Sequence, residues 1–299
     1  MNLWRINIKT KAVGVDPRMF CFDNSILGIG WRVSDQQEVL SWDQYVEKGR
    51  VRYESKRGWR PAVDAIHHRM KENDLCWSRD ASGVYYLGRI SGGWQYCSSA
   101  KHLQADVLNI RPCQWVRIGT VDAVPGRVVN SFVPSRTVQR VNGNGVKEYS
   151  KYLFNMGVGV AHFTVDLGSY RLLDLFQPED FEDVVAIYLQ ELGYSLIPST
   201  CKKSTMSYEF VLKHNLTGEK AVVQVKSGKQ DLIRDEYAKY DKAYLFTLKG
   251  DYLGEPLEQV QCLEAHVLES FVRNHKERMP DRIQHWLDAI DELRRPKEV

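Results

Sequence analysis

Residues 208–226 read YEFVLKH, NLTG and EKAVVQVK, and this stretch constrains the fold more than any other in the chain. Two runs of alternating apolar and polar residues, separated by Asn215, Leu216, Thr217 and Gly218, predict an antiparallel hairpin with a four-residue loop. Pairing His214 with Glu219 sets Glu209 opposite Gln224. Side chains alternate faces along a strand, so Gln224 and Lys226 share a face, and a carboxylate, an amide and an ammonium converge on it. Opposed side chains on one face lie about 5 Å apart at Cβ, close enough for two oxygens to hold a small cation beside a lysine. A polar hairpin face can equally be an ordinary solvated surface. Against that, Val222, Val223 and Val225 make the second strand apolar enough to be central, where a lysine needs a reason.

Upstream, the sequence PEDFEDVVAIYLQELGYSLIPST places Phe181, Val184, Val185, Tyr188, Leu189 and Leu192 at helical spacing. Glu179 and Asp180 fall in the first turn, where the helix dipole favours anions, and Gly193 is a stop signal. Such a helix packs on a sheet. Downstream, 231–239 reads as helix, 242–248 and 260–263 as strands, and 280–295 as an amphipathic helix bearing Ile283, Trp286, Leu287, Ile290 and Leu293.

The spacing from Glu209 to Gln224-Val225-Lys226 resembles the acidic-residue and QxK half-motif of the PD-(D/E)xK nuclease superfamily, and of its Mrr-like restriction endonucleases in particular. Members open with a helix, a glycine-tyrosine step and a first strand, matched here by the helix and by Gly193-Tyr194-Ser195-Leu196-Ile197. The chain departs at the acidic strand, reading Ser207-Tyr208-Glu209 where the family shows glycine, a hydrophobic residue and aspartate. Glu182 matches a glutamate of the family's helix, although taken alone it reads as a solvated helix residue. The resemblance implies a restriction-endonuclease-like α/β domain with Glu209, Gln224, Lys226 and Glu182 as its catalytic set. It implies that Glu209, with the oxygen of Gln224 or the Val225 carbonyl, holds Mg²⁺, which polarises the scissile phosphate and acidifies a bound water. Lys226 would orient that water and offset phosphate charge, and Glu182 would hold a second metal or its water.

With 299 residues and 43% hydrophobic content the chain has material for two domains. No apolar run approaches the roughly 18 residues a membrane span needs, and MNLWRINIKTK lacks the apolar core of a signal peptide. The expectation is a cytoplasmic protein with no membrane partner. Six scattered cysteines without zinc spacing read as reduced thiols. A net charge of +3 is modest for a nucleic-acid binder, so DNA contact has to come from local patches. Residues 47–60, EKGRVRYESKRGWR, interleave six basic residues with Tyr53 and Trp59, which suits either phosphate contact with stacking or an exposed loop. Around the hairpin, Lys202, Lys203, Lys213, Lys220, Lys226 and Lys229 outnumber Glu209 and Glu219, a balance suited to a polyanionic substrate.

The first part of the chain reads as short strands (LWRINIKT, LGIGWRV, VYYLGRI, WQYC, CQWVRIGTV) with one helix over 61–71, which suggests a small α+β barrel. Ile29-Gly30-Trp31, Asn73-Asp74-Leu75-Cys76-Trp77, Tyr86-Leu87-Gly88-Arg89-Ile90, Gly93-Trp94-Gln95-Tyr96 and Ile110-Arg111-Pro112-Cys113-Gln114-Trp115 together resemble an EVE-type domain of the PUA-like barrels. That resemblance implies an aromatic pocket for a nucleobase, often a modified one flipped from the stack. Trp31, Trp94 and Tyr96 are the expected walls, with Asn24 or Asp23 as polar reader; the competing reading makes these aromatics barrel core, as Trp77 and Trp115 are expected to be. The expected organisation is a reader domain over 1–132, a linker over 133–165 holding the turn Asn142-Gly143-Asn144-Gly145 and a short helix at 147–154, and a nuclease domain over 166–299. The function implied is a metal-dependent endodeoxyribonuclease acting on modified or phage DNA in restriction or defence, working as a homodimer if both strands are cut. A DNA-binding protein with an inactive nuclease-like domain and an RNA-directed nuclease are the alternatives.

Overall fold

The computed structural model describes residues 1–9, 12, 14–201 and 207–294. The chain forms two compact units, Met1–Leu167 and Gly168–Val299.

In the first unit, strands β1 (Leu3–Ile6), β2 (Ile26–Ile29), β3 (Leu75–Arg79), β4 (Tyr85–Ile90), β5 (Gln95–Tyr96), β6 (Asn109–Gly119) and β7 (Val138–Arg140) form one curled sheet. The order is β2-β6-β4-β3-β1-β7, with β5 also on β6. The curl comes from β6, which pairs with β2 and β5 through Asn109 to Pro112 and with β4 from Cys113 onward. Helices α1 (Pro17–Asp23), α2 (Trp42–Tyr53), α3 (Trp59–Asp64), α4 (Ala100–Ala105), α5 (Gly126–Ser131) and α6 (Asn144–Val158) cover the sheet. Strand alternation divides the core in two: Trp4 and Ile6 pack with Leu27, Tyr45 and Ile66, while Leu3 packs with Trp77, Leu87 and Phe154. The expected helix over 61–71 begins earlier, at Trp59, and ends in a π-helical turn, Ala65–Arg69. The basic segment 47–60 is not a loop throughout: its first half is α2, begun by a Ser41/Gln44 capping box. Gly49 there admits Trp59, whose ring would lie 2.1 Å from an added Cβ.

The segment 133–165, expected as a linker, belongs to the first unit. Its β7 pairs with β1, and α6 supplies Phe154 to the core. The reason is Arg5, fully buried on β1. A buried guanidinium needs partners, and it finds them in the carbonyls of Ser131 and Arg136, the Pro134 carbonyl at 3.4 Å and Gln139 Oε1 at 2.9 Å. Trp77 Nε1 adds a bond to Ser150 Oγ on α6 at 3.1 Å.

The second unit contains α7 (Leu172–Leu175), α8 (Pro178–Glu191), β8 (Tyr194–Leu196), β9 (Phe210–His214), β10 (Lys220–Lys226), β11 (Leu232–Ile233), β12 (Lys242–Thr247), β13 (Tyr252–Leu253), β14 (Val260–Cys262), α9 (Ala265–Asn274) and α10 (Asp281–Arg294). Five strands form a sheet in the order β14-β12-β10-β9-β8, with β10 central, antiparallel to β9 and parallel to β12. Helix α8 packs on β10 and β8 through buried Phe181, Val184, Val185 and Leu189. Each such apolar side chain contributes about 1.5–3 kcal/mol on burial. The expected helix over 231–239 is instead β11, paired with β13, followed by one 3₁₀ turn, Arg234–Tyr237. Helix α10 is tied to α8 by Arg282, whose guanidinium meets the fully buried Asp180 carboxylate.

Candidate functional site: an acid, an amide and a lysine on one hairpin

The β9–β10 ladder runs through Val222↔Val211 and Val223↔Phe210. It is closed at the turn by His214 N donating to Glu219 O at 2.8 Å and extended by Glu209 N donating to Val223 O at 2.8 Å. Gly218, at φ +73°, makes the tight return that fixes this register. Glu209 therefore faces Gln224, as the alternation requires. Gln224 Nε2 donates to Glu209 Oε1 at 2.8 Å, and Lys226 Nζ donates to the same oxygen at 3.1 Å. Gln224 is buried at 4% exposure, while the Glu209 and Lys226 side chains are 28% and 30% exposed. A buried amide thus aims a carboxylate whose remaining lone pairs reach solvent. The end of β10 is fixed by Leu248 N, which donates to Lys226 O at 2.9 Å.

Tyr237 and Tyr240, residues that periodicity alone does not single out, hold the start of the acidic strand. Tyr237 Oη donates to Ser207 O at 3.1 Å, and Ser207 Oγ lies 3.1 Å from Tyr240 Oη. The Tyr237 phenol is pushed up to about 12, by burial first and then by Glu236, Tyr240 and Glu209. It is a permanent donor at neutral pH. Two phenols thus grip Ser207, two residues before Glu209. Glu182 is half-buried on α8, the helix that packs on β10. Lys213, Lys220 and Lys229 are exposed, whereas Lys202 and Lys203 lie outside the described residues.

Among the described residues, no group of three or more His, Cys, Asp or Glu side chains gathers as a metal cage. The oxygens available on the hairpin are the Glu209 carboxylate, the Gln224 amide oxygen and the Val225 carbonyl, which lies 3.5 Å from Gln224 Nε2. These are hard donors. Mg²⁺ keeps several waters and is commonly held by one or two carboxylates together with substrate phosphate, so the donor set fits it once Gln224 turns its amide oxygen toward Glu209.

In the first unit, Trp31 lines a cavity of about 870 Å³ with Arg32, Arg52, Tyr53, Lys56 and Asp106. Trp31 has φ +65°, a left-handed backbone uncommon for a bulky residue. Four side chains hold the loop in that shape. Tyr45 Oη donates to Trp31 O at 3.0 Å, Asn109 Nδ2 donates to Gly30 O at 2.6 Å, Tyr53 Oη donates to Arg32 O, and Tyr96 Oη accepts from Val33 N at 3.2 Å. The Trp31 and Tyr53 rings meet edge to face at 5.1 Å.

The other expected walls are elsewhere. Tyr96 is 4% exposed, a core residue that props the Trp31 loop. Trp94 packs with Trp42, Tyr45 and His67, its Nε1 donating to Asn109 Oδ1 at 3.3 Å, and is not a lining residue of the cavity. Asn24 caps α1, donating to Phe20 O at 2.9 Å and accepting from Lys101 Nζ at 3.0 Å, and is not a lining residue of the cavity. Asp23, its alternative, is exposed at the end of α1 and likewise absent from that lining. Alternation predicts which residues share a face, but only the curl of β6 decides which face is concave. Arg32 and Asp106 are among the lining residues that the sequence did not single out, whereas Tyr53, Arg52 and Lys56 come from the basic-aromatic segment that it did.

Residues 173–239 match the Mrr_cat family model, a restriction endonuclease family. No curated protein and no solved structure gives a match to the chain. The matched residues lie within the second unit and include α8, the hairpin with Glu209, Gln224 and Lys226, and the Tyr237 turn. Over the stretch that carries the acid, the amide and the lysine, this chain is similar to the Mrr-type restriction endonucleases.

Proposed function

We propose that the protein is a metal-dependent DNA endonuclease of the restriction type. Its second unit hydrolyses phosphodiester bonds, and its first unit, read as an EVE-type member of the PUA-like group, recognises a base that is modified in the preferred DNA. The observation that carries the reading is the convergence of Gln224 and Lys226 on Glu209 Oε1, at 2.8 and 3.1 Å, inside the stretch similar to restriction endonucleases. Glu209, with the oxygen of Gln224 or the Val225 carbonyl, would hold Mg²⁺, which would supply Lewis acidity toward the scissile phosphate and acidify a water there.

The chain's own residues do the rest. Gln224, buried, fixes the direction of the Glu209 carboxylate. Lys226, partly exposed beside it, offsets the charge that grows on the phosphate oxygens and orients the attacking water. Glu182 on α8 is the second acidic group of the set. The concave cavity with Trp31 supports the reader assignment of the first unit. Cleavage of both strands calls for two such centres, which a homodimer supplies.

The test is incubation of the full chain with unmodified, methylated, and hydroxymethylated or glucosylated phage DNA, with and without Mg²⁺, beside an RNA of the same sequence. Mg²⁺-dependent cleavage with a preference for one modified DNA is the expected result. Binding without cleavage would make the protein a DNA-binding module, and cleavage of RNA alone would move the substrate to RNA.

A further inference from the structure

We propose that the first unit's site has two compartments and takes a dinucleotide step of an unpaired strand, the base of one nucleotide in the first and the flanking phosphodiester and sugar in the second. This rests on the reading of the first unit as a base reader.

The end of α2 and the turn after it wall two cavities, one of about 870 Å³ and one of about 640 Å³. Both lie in the range of about 300–1,000 Å³ usual for small-molecule sites. Tyr53 and Lys56 line both, so the two share a partition. Residues two apart on a helix point to different sides, and accordingly Arg52 lines the first cavity and Arg50 the second.

The compartments differ in chemistry. In the first, Arg32 and Arg52 are both committed to Asp35, which is outside the lining, at 3.2 and 3.5 Å, Lys9 and Lys56 are two further lining cations, and Asp106 is the lining carboxylate. Two of its four cations thus share one carboxylate, while Trp31 and Tyr53 supply aromatic surface: a place for a base. In the second, Arg50, Lys56, Arg57 and Arg60 face a single lining carboxylate, Glu54. Arg50, Lys56 and Arg57 are exposed and form no ion pair among the described residues. Arg60 binds Asp64 through Nε at 3.0 Å, yet its Nη1 is buried without a hydrogen-bond partner. Apart from the shared Tyr53, the aromatic ring here is Trp59, which is 5% exposed, with the Arg60 guanidinium 5.9 Å from its centroid. That leaves little face for stacking but several donors for phosphate oxygens.

The experiment titrates the full chain with 5′-phosphorylated mononucleotides and dinucleotides of the same base, in deoxy and ribo series, at fixed salt. A dinucleotide that binds about tenfold tighter than the mononucleotide is expected, in whichever sugar series the site accepts. Arg57→Glu, at an exposed position, removes that gain and leaves mononucleotide affinity in place, whereas Arg52→Glu weakens both. Equal affinity for mononucleotide and dinucleotide, or equal loss of both in Arg57→Glu, overturns the two-compartment inference and leaves the base reader standing. No binding of any nucleotide, with Trp31→Ala also without effect on binding of the preferred DNA, overturns the reader assignment and this inference with it.

Discussion

Lys226 and Gln224 share one oxygen of Glu209, but their burial separates their roles. Lys226 is partly exposed, so its removal costs little packing. Lys226→Ala is expected to fold and bind DNA normally while losing transition-state stabilisation of about 3 kcal/mol or more, a rate loss of at least two orders of magnitude. Cleavage within a few-fold of wild type would sink the assignment. Tyr237 acts at one remove, through the Ser207 carbonyl. Tyr237→Phe keeps the ring and deletes the donor, and should lower kcat about tenfold with KM for DNA unchanged, the scale usual for partners that orient a ligand. A change in KM alone would make Tyr237 a substrate contact instead. His67 carries a different consequence. Stacked on Trp42 at 3.8 Å, it is lowered from 6.5 to about 4, by burial first, then by His68, Arg111 and Lys71, with Asp64 opposing. The unfolded chain accepts this proton near 6.5 and the folded chain only near 4, so the stability His67 contributes is full above 6.5 and is lost as pH falls toward about 4. Melting curves across that interval should fall less steeply for His67→Phe, which retains the stack, than for wild type.

Elements were legible where local pattern and long-range pairing agree. The β9–β10 hairpin is written in period-two alternation and closed by Gly218, so its register down to Glu209 could be read from the sequence alone. Helix α8 was equally plain, from its apolar stripe and the stop at Gly193, which has φ +91°. Residues 231–239 misled because a two-residue strand and a single 3₁₀ turn carry no periodicity, and what orders them is pairing with β13. The 133–165 segment misled for a related reason. Pro134 and the Asn-Gly pairs announce turns, while the force that binds the segment is a buried arginine more than a hundred residues away. The same kind of long-range tie joins α10 to α8, and it predicts a pH-dependent lesion. Asp180 is fully buried; burial raises its carboxyl, while Arg282 and the Gln177 backbone N–H oppose the rise. Arg282→Ala removes the charged partner and leaves that carboxylate only the Gln177 N–H, a loss of about 3–5 kcal/mol for a buried pair broken on one side. Since protonation relieves the lone charge, the deficit in Tm should be larger at neutral pH than in mild acid. A deficit independent of pH would mean that Arg282 contributes packing only.

At the scale of the molecule, the two units carry different kinds of constraint: the second builds its site on the central strand of a sheet, and the first builds its cavity on a loop held against backbone preference. Trp31 tests the difference. A left-handed conformation at a non-glycine residue costs of order 1–3 kcal/mol and persists where the surroundings impose it. Here the surroundings are the four hydrogen bonds from Tyr45, Asn109, Tyr53 and Tyr96. A tryptophan kept only for packing would be better served by an ordinary backbone, and this one stands at φ +65° on a cavity wall. Trp31→Gly separates the two. Glycine adopts this conformation freely, so relief of strain offsets part of the packing lost, and Tm should stay near that of wild type. Affinity for the preferred DNA should fall by about 1–3 kcal/mol, the worth of one base-aromatic stack. Contacts from the basic segment do not read bases, so plain and modified DNA should then be cut alike at high enzyme concentration. A loss of stability of about 3–5 kcal/mol, as for a tryptophan deleted from a core, with discrimination intact, would return Trp31 to the core and deprive the cavity of its reader.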